Sequence, residues 1–205
     1  MVKVKICGIT NLEDALASLF SGANAIGFVF YRKSPRYISP FKARSISRIL
    51  PKKIFRVGVF VNEDIKAAKK IARFCDLDML QFHGQESAAY CRKFKGYKII
   101  KAFPVKDEID LAKISEYKGC ALLFDTYSKS KAGGTGKKFN WNLLKNLDKI
   151  KQAVFLSGGL TVGNVEKAVK LLKPDWVDAS SALESRPGKK DHRKIKKFIR
   201  QAGSF

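Results

Sequence analysis

The stretch FRVGVFVNEDIKAAKKIARF, residues 55–74, changes its period in the middle. Its first seven residues form an apolar run rich in Val and Phe, of strand length, and from Ile65 the apolar residues return every three or four positions, as on one face of a helix. Between the two parts, Asn62, Glu63 and Asp64 put a capping side chain and acids where a helix starts. Strand, turn and helix follow one another in that order.

The same unit recurs outward in both directions. VKVKIC, ANAIGFVF, LDMLQFH, KIIKAF, CALLFDT, AVFLS and DWVDAS are further strand-like runs, and segments such as LEDALASLF show helical spacing between them. Start signals agree: Thr10 with Glu13 forms a capping box, Ser39 with Pro40 offers an N-cap and a first-turn proline, and Thr161 and Asn140 serve similarly. Eight such runs at a mean spacing of about 25 residues predict an α/β fold, a (β/α)8 TIM barrel at the compact end of its size range. An open doubly wound sheet is the competing architecture. The count of eight favours the barrel, and Gly8 stands alone where a dinucleotide-binding G-x-G-x-x-G would follow the first strand. Neither Gly136-Lys137 nor Gly188-Lys189 completes a P-loop. No linker or low-complexity tract marks a boundary, so residues 1–205 are expected to form a single domain.

Composition narrows the partners. The net charge of +23, from 41 Lys and Arg against 18 Asp and Glu, fits a nucleic acid, an anionic small substrate or a lysine-rich solvated surface. The lysines are dispersed over nearly every helix, and no helix-turn-helix, zinc-finger or aromatic RNP pattern occurs, so no nucleic-acid partner is expected. The four cysteines form no C-x-x-C pair and have no histidine at ligand spacing, so no metal is expected. The N-terminus lacks an apolar h-region and no run approaches a membrane span, which predicts no membrane partner and a cytoplasmic location.

In a barrel, the chemistry sits at the C-terminal ends of the strands. That rule selects Cys7, Arg32 to Arg36, Asn62, His83, Asp125, Ser157 to Gly159, and Asp178 to Ser181. SGGL after strand 7 and DASS after strand 8 place Gly158, Gly159, Ser180 and Ser181 where many barrels hold a phosphate. Asp125 ends an apolar run, as a general acid or as a loop cap. The glycine-rich TYSKSKAGGTGKKF after it reads as a lid. Cys7 reads as packing or as a reactive thiol, the latter needing cations or a helix N-terminus to lower its pKa. Arg36 suits a carboxylate or a loop-ordering salt bridge, and His83 a substrate donor or a satisfied strand-end histidine. His192, in the basic C-terminal helix, reads as surface.

KICGIT, GFVFYRKSPRYIS, RVGVFVN, LQFHG, LLFDT, GGTGKKFNW, LSGGL, DASS and RPGKKD follow one another from Val2 to about Phe198. In that order they resemble the phosphoribosylanthranilate isomerases. The resemblance implies a ribulose-phosphate-binding barrel that performs an Amadori rearrangement of N-(5-phosphoribosyl)anthranilate without a cofactor, as a monomer or homodimer. It implies Asp125 as the general acid that opens the ribose ring and Cys7 as the base that takes the C2 proton. It further implies Arg36 on the anthranilate carboxylate, the SGGL and DASS loops on the phosphate, and His83 and Asp178 near the substrate. The related indole-glycerol-phosphate synthases, which use a lysine as general acid, fit less well. One departure is Ala182, where the family commonly has a glycine; that change is expected to alter the backbone beside the phosphate.

Overall fold

The structure, a computed structural model, describes residues 1–105, 110–125, 144 and 150–203. Eight parallel strands close on themselves in chain order. They are β1 (Lys3–Cys7), β2 (Ala25–Val29), β3 (Phe55–Phe60), β4 (Met79–Phe82), β5 (Lys98–Pro104), β6 (Ala121–Asp125), β7 (Val154–Ser157) and β8 (Trp176–Ala179). Each lies within one of the apolar runs, except that β5 extends one residue past KIIKAF, and β8 pairs back onto β1 with Lys5 beside Asp178, which excludes the open sheet.

The described helices are α1 (Leu12–Phe20), α2 (Pro40–Ile49), α3 (Ile65–Phe74), α4 (Ala88–Cys91), α5 (Leu111–Ser115), α6 (Val165–Leu172) and α7 (His192–Ala202). Ser39 caps α2 as expected, accepting from the Lys42 N–H at 3.3 Å. Three other start signals shift by a residue or more. Asn11, not Thr10, caps α1 by accepting from the Asp14 N–H, because the Thr10 hydroxyl donates to the Gly188 carbonyl at 2.5 Å. Asn62 takes φ 51° and accepts from the Gln85 N–H, so Asp64 caps α3 by accepting from Lys66 and Ala67. Thr161 accepts from the Gly163 N–H, and Asn164 is the residue before α6. The lid-like segment and Asn140 lie outside the described residues.

Strand alternation sorts the side chains onto two sides of the barrel wall. Val4, Ile6, Ile26, Phe28, Leu80, Phe82, Leu122, Phe124, Leu156 and Val177 point outward into the apolar layer shared with the helices. Ala25, Val57, Met79, Ile100, Leu123, Phe155 and Trp176 fill the lower bore. Cys7, Val29 and Val59 form a small apolar group above them. By the same alternation Lys5, Gln81 and Asp178 line the bore, and Asp125, Ser157 and Ser180 its mouth.

A small antiparallel hairpin of β9 (Glu184–Arg186) and β10 (Lys189–Lys190) follows a 3-10 turn at Ser181–Leu183. It is fastened to α1: the Lys190 N–H donates to Asp14 Oδ2 at 2.8 Å, and Lys189 pairs with Glu13 at 2.7 Å. His192 starts α7 and is half exposed, but its Nε2 bonds Asp14 Oδ1 at 2.8 Å, so it is a tie between elements and not a bare surface residue. Among the described residues no helix is long and apolar enough to cross a membrane.

Candidate active site

Cys7 is the last residue of β1 and is 8% exposed. Its register partner on β2 is Gly27, and a Cβ there would lie 2.7 Å from the Cys7 Sγ. A side chain at Gly27 and the thiol in its present place are mutually exclusive. Gly27→Ala is therefore expected to cost about 1–3 kcal/mol, as overpacking does, and to lower turnover by displacing the sulfur. Urea unfolding and steady-state kinetics check this, and wild-type values in both would show that the thiol can settle elsewhere. Gly8, next along, takes φ +75°, and a Cβ on it would approach Arg36 Cδ to 2.8 Å and Ser180 Oγ to 2.9 Å. Glycine is required there both by the backbone and by the close approach of the loops after β2 and β8.

Those loops meet in a charge network. Arg36 grips Glu184 with Nε at 2.8 Å and Nη2 at 2.7 Å, and Lys190 reaches Glu184 Oε1 at 2.9 Å and the Ser180 carbonyl at 3.1 Å. Burial would raise the Glu184 carboxyl, but Arg36 and Lys190 outweigh it and hold the group below the usual carboxylate value. Burial also pulls the Lys190 ammonium below its ordinary value, against the attraction of Glu184.

On the β4 and β6 side, Gln81, His83 and Asp125 form a chain. Gln81 Nε2 lies 2.9 Å from His83 Nδ1, and His83 Nε2 lies 3.0 Å from Asp125 Oδ2. With the amide nitrogen donating to Nδ1, the neutral ring carries its proton on Nε2 and donates it to the aspartate, a tautomer assigned from the bonding pattern. The loop behind His83 is pinned by the buried Glu86, which accepts from the Asn62 and Gly84 N–H groups and pairs with Lys101 at 3.0 Å.

Gly158 and Gly159 after β7 both take positive φ, 78° and 69°, so non-glycine residues there are strained. Asn164 Nδ2 donates to the Gly159 carbonyl and holds the turn. Ser180 and Ser181 enter the 3-10 turn after β8. Ala182 lies inside that turn and is not among the non-glycine residues with positive φ, so alanine carries no backbone strain where a glycine was expected.

The sequence-selected residues thus divide into groups. Arg36 and Ser180 converge on Gly8; His83 and Asp125 bond each other; Cys7 and Asp125 stand on β1 and β6 with β7 and β8 between them. Asp178 sits deeper than expected, its side chain only 5% exposed and paired with Lys5 at 2.9 Å. The thiol also departs from expectation. Burial pushes Cys7 above its ordinary value; the charges of Lys5 and Lys190 oppose that push, and Asp178 adds to it. Sequence reasoning passed over Lys5, Gln81, Glu184 and Lys190. Two of these, Lys5 and Gln81, lie two residues before Cys7 and His83 and so share their face, a signal that was available. All four cysteines are free and buried, and no metal-holding group of His, Cys, Asp and Glu occurs among the described residues.

Residues 4–201 match the protein family described as N-(5'phosphoribosyl)anthranilate (PRA) isomerase. The N-(5'-phosphoribosyl)anthranilate isomerase of Thermotoga maritima is 50% identical over 204 residues, covering 98% of both chains. The crystal structure of phosphoribosyl anthranilate isomerase from that organism superposes with a TM-score of 0.93 at 48% identity, covering 100% of both chains. A phosphoribosyl anthranilate isomerase in complex with reduced 1-(o-carboxyphenylamino)-1-deoxyribulose 5-phosphate superposes at 0.90 with 45% identity, again over 100% of both. A match that runs from β1 to α7, with half the positions identical in a relative of the same extent, leaves one conclusion: the chain belongs to the N-(5'-phosphoribosyl)anthranilate isomerase family.

Proposed function

We propose that this chain isomerises N-(5'-phosphoribosyl)anthranilate to 1-(2-carboxyphenylamino)-1-deoxyribulose 5-phosphate in tryptophan biosynthesis, with Asp125 as general acid and Cys7 as general base. Family membership carries the reaction. The observation that supports the roles is a carboxyl and a thiol at the mouth-side ends of β6 and β1, set apart around one bore. An aldose-to-ketose shift needs that separation, because the two proton transfers occur at different atoms of the sugar.

Asp125 gives its proton to the ribose ring oxygen as the C1–O bond breaks, and the nitrogen lone pair forms the C1=N bond of a protonated Schiff base. His83 holds Asp125 through Oδ2, which assigns the donated proton to Oδ1. The Cys7 thiolate then takes the C2 proton, and the C2–H electron pair forms C1=C2 while the nitrogen recovers its lone pair. The resulting enolamine tautomerises to the ketone. Glu184 engages Arg36 through Nε and Nη2, so Nη1 is the part of the fork left to meet the anthranilate carboxylate. Gly158, Gly159, Ser180 and Ser181 receive the phosphate, with Lys190 adding positive charge at Ser180. Asp178, paired with Lys5 beneath the mouth, stands near the substrate. A basic mouth also suits the capture of a doubly anionic substrate.

The test is conversion of the substrate by purified protein, with the product separated by chromatography, together with growth of a tryptophan-requiring strain that lacks the isomerase. Product formation and growth are expected. Absence of turnover in a folded, monodisperse preparation would overturn the assignment.

A further inference from the structure

The bore beneath Cys7 holds a lysine, with a small residue beside it in register on one strand and a carboxylate on the other. Lys5 is 0% exposed, stands one side-chain step below Cys7 on β1, and pairs with Ala25 on β2 and Asp178 on β8. A buried ammonium presents three N–H donors, each of which needs an acceptor. Asp178 Oδ1 takes one at 2.9 Å. Cys7 follows two residues later on the same face of β1, and its charge acts on the Lys5 ammonium. A strut joining β1 to β8 would need only an apolar contact, and a lysine is a costly way to make it.

We propose that Lys5 is a positioning residue for the base: its ammonium, held by Asp178, donates to the Cys7 sulfur and stabilises the thiolate that takes the substrate proton. This rests on Cys7 being the base. Loss of the thiol proton in this bore then creates an ammonium–thiolate pair and not an isolated buried anion. Asp178 keeps Lys5 charged, since its attraction and that of Cys7 outweigh the effect of burial and hold the ammonium above its ordinary value. The other charges acting on the thiol are Lys190 and, through it, Glu184 and Arg36 from the loops above. On the β2 and β3 side, the apolar residues grouped with the thiol are Val29 and Val59, with Tyr31 packed against them.

The experiment is alkylation of Cys7 by iodoacetamide across pH in the substrate-free protein, read on the Cys7 peptide by mass spectrometry. In Lys5→Met the rate at neutral pH is expected to fall about tenfold or more, because the thiolate fraction falls. Lys5→Met/Asp178→Asn, which removes both charges, should fall between that variant and wild type. The rising limb of kcat/KM should move to higher pH in Lys5→Met and be recovered by raising pH, which a purely structural lesion would not allow. Should neither variant fold, the same point is read in wild type from the 15N resonance of the Lys5 ammonium. That resonance is expected to shift with the midpoint of Cys7 alkylation. Unchanged Cys7 alkylation in a folded variant, or a Lys5 resonance indifferent to the thiol, overturns the proposal. Neither result depends on turnover, so a failure of Cys7 as the base would appear separately, as retained activity in a Cys7 variant.

Discussion

Replacing Cys7 by alanine is expected to lower kcat/KM by about 10²- to 10⁴-fold, the usual cost of removing a positioned proton acceptor. The fold should survive. Cys7 is a small side chain beside Gly27, and its loss is expected to cost about 1 kcal/mol in urea unfolding. The effect should lie mainly in kcat, because the groups assigned to the phosphate and carboxylate are untouched. In wild type, the thiol sits above its ordinary value of 9.0, and the active form is the deprotonated one. The sign follows directly: kcat/KM should climb about tenfold per pH unit through neutrality and keep climbing past pH 9. Cys7→Ala should lose that limb. A variant within a few-fold of wild type, or one retaining the limb, would remove Cys7 from the mechanism.

Asp125→Asn is expected to cost a similar factor, about 10²- to 10⁴-fold in kcat, by removing the proton that opens the ring. The substitution is nearly isosteric, and the amide oxygen can still accept from His83 Nε2–H, so the chain from Gln81 onward should persist. Unfolding stability should therefore change little. The informative comparison is with a substrate carrying deuterium at C2. Ring opening precedes removal of that hydron, so slowing the opening in Asp125→Asn should reduce any isotope effect seen in wild type. A larger isotope effect in the variant would mean that Asp125 acts on the later step.

The eight strands were legible because each is a short apolar run, and the closed barrel because the runs number eight and alternate with helical spacing. The mouth was legible as a set of strand ends. What escaped notice has a common physical cause. In VKVKIC the lysines look like the solvent side of a half-buried strand. In a barrel sheathed by helices the apolar residues Val4 and Ile6 face outward to those helices, and the polar residue Lys5 faces the bore. Alternation reports the two faces but does not say which of them is wet. Helix starts shifted for a different reason: the Thr10 hydroxyl donates to Gly188, while the Asn62 side chain accepts from the Gln85 N–H. Long-range partners override a local capping pattern. The hairpin of β9 and β10 gave no signal, since ESR and KK are too short and polar to show a period.

The fastening of that hairpin bears on how the protein is made. Asp14 sits in the first helix with its side chain fully buried; Asn11 Nδ2 donates to it locally at 2.8 Å, but the Lys190 N–H and His192 that complete its bonding come from 176 and 178 residues later. Early β/α units can form without that segment, but the Asp14 carboxylate under α1 then keeps only its local partner Asn11 until the hairpin and the start of α7 dock. Glu184 and Lys190 arrive with that same segment, so Arg36 has no anchor before then. Completion of the mouth is thus a long-range step of folding. A chain cut before Glu184 would keep its early β/α units but present an Arg36 without its carboxylate anchor and a mouth that is not assembled.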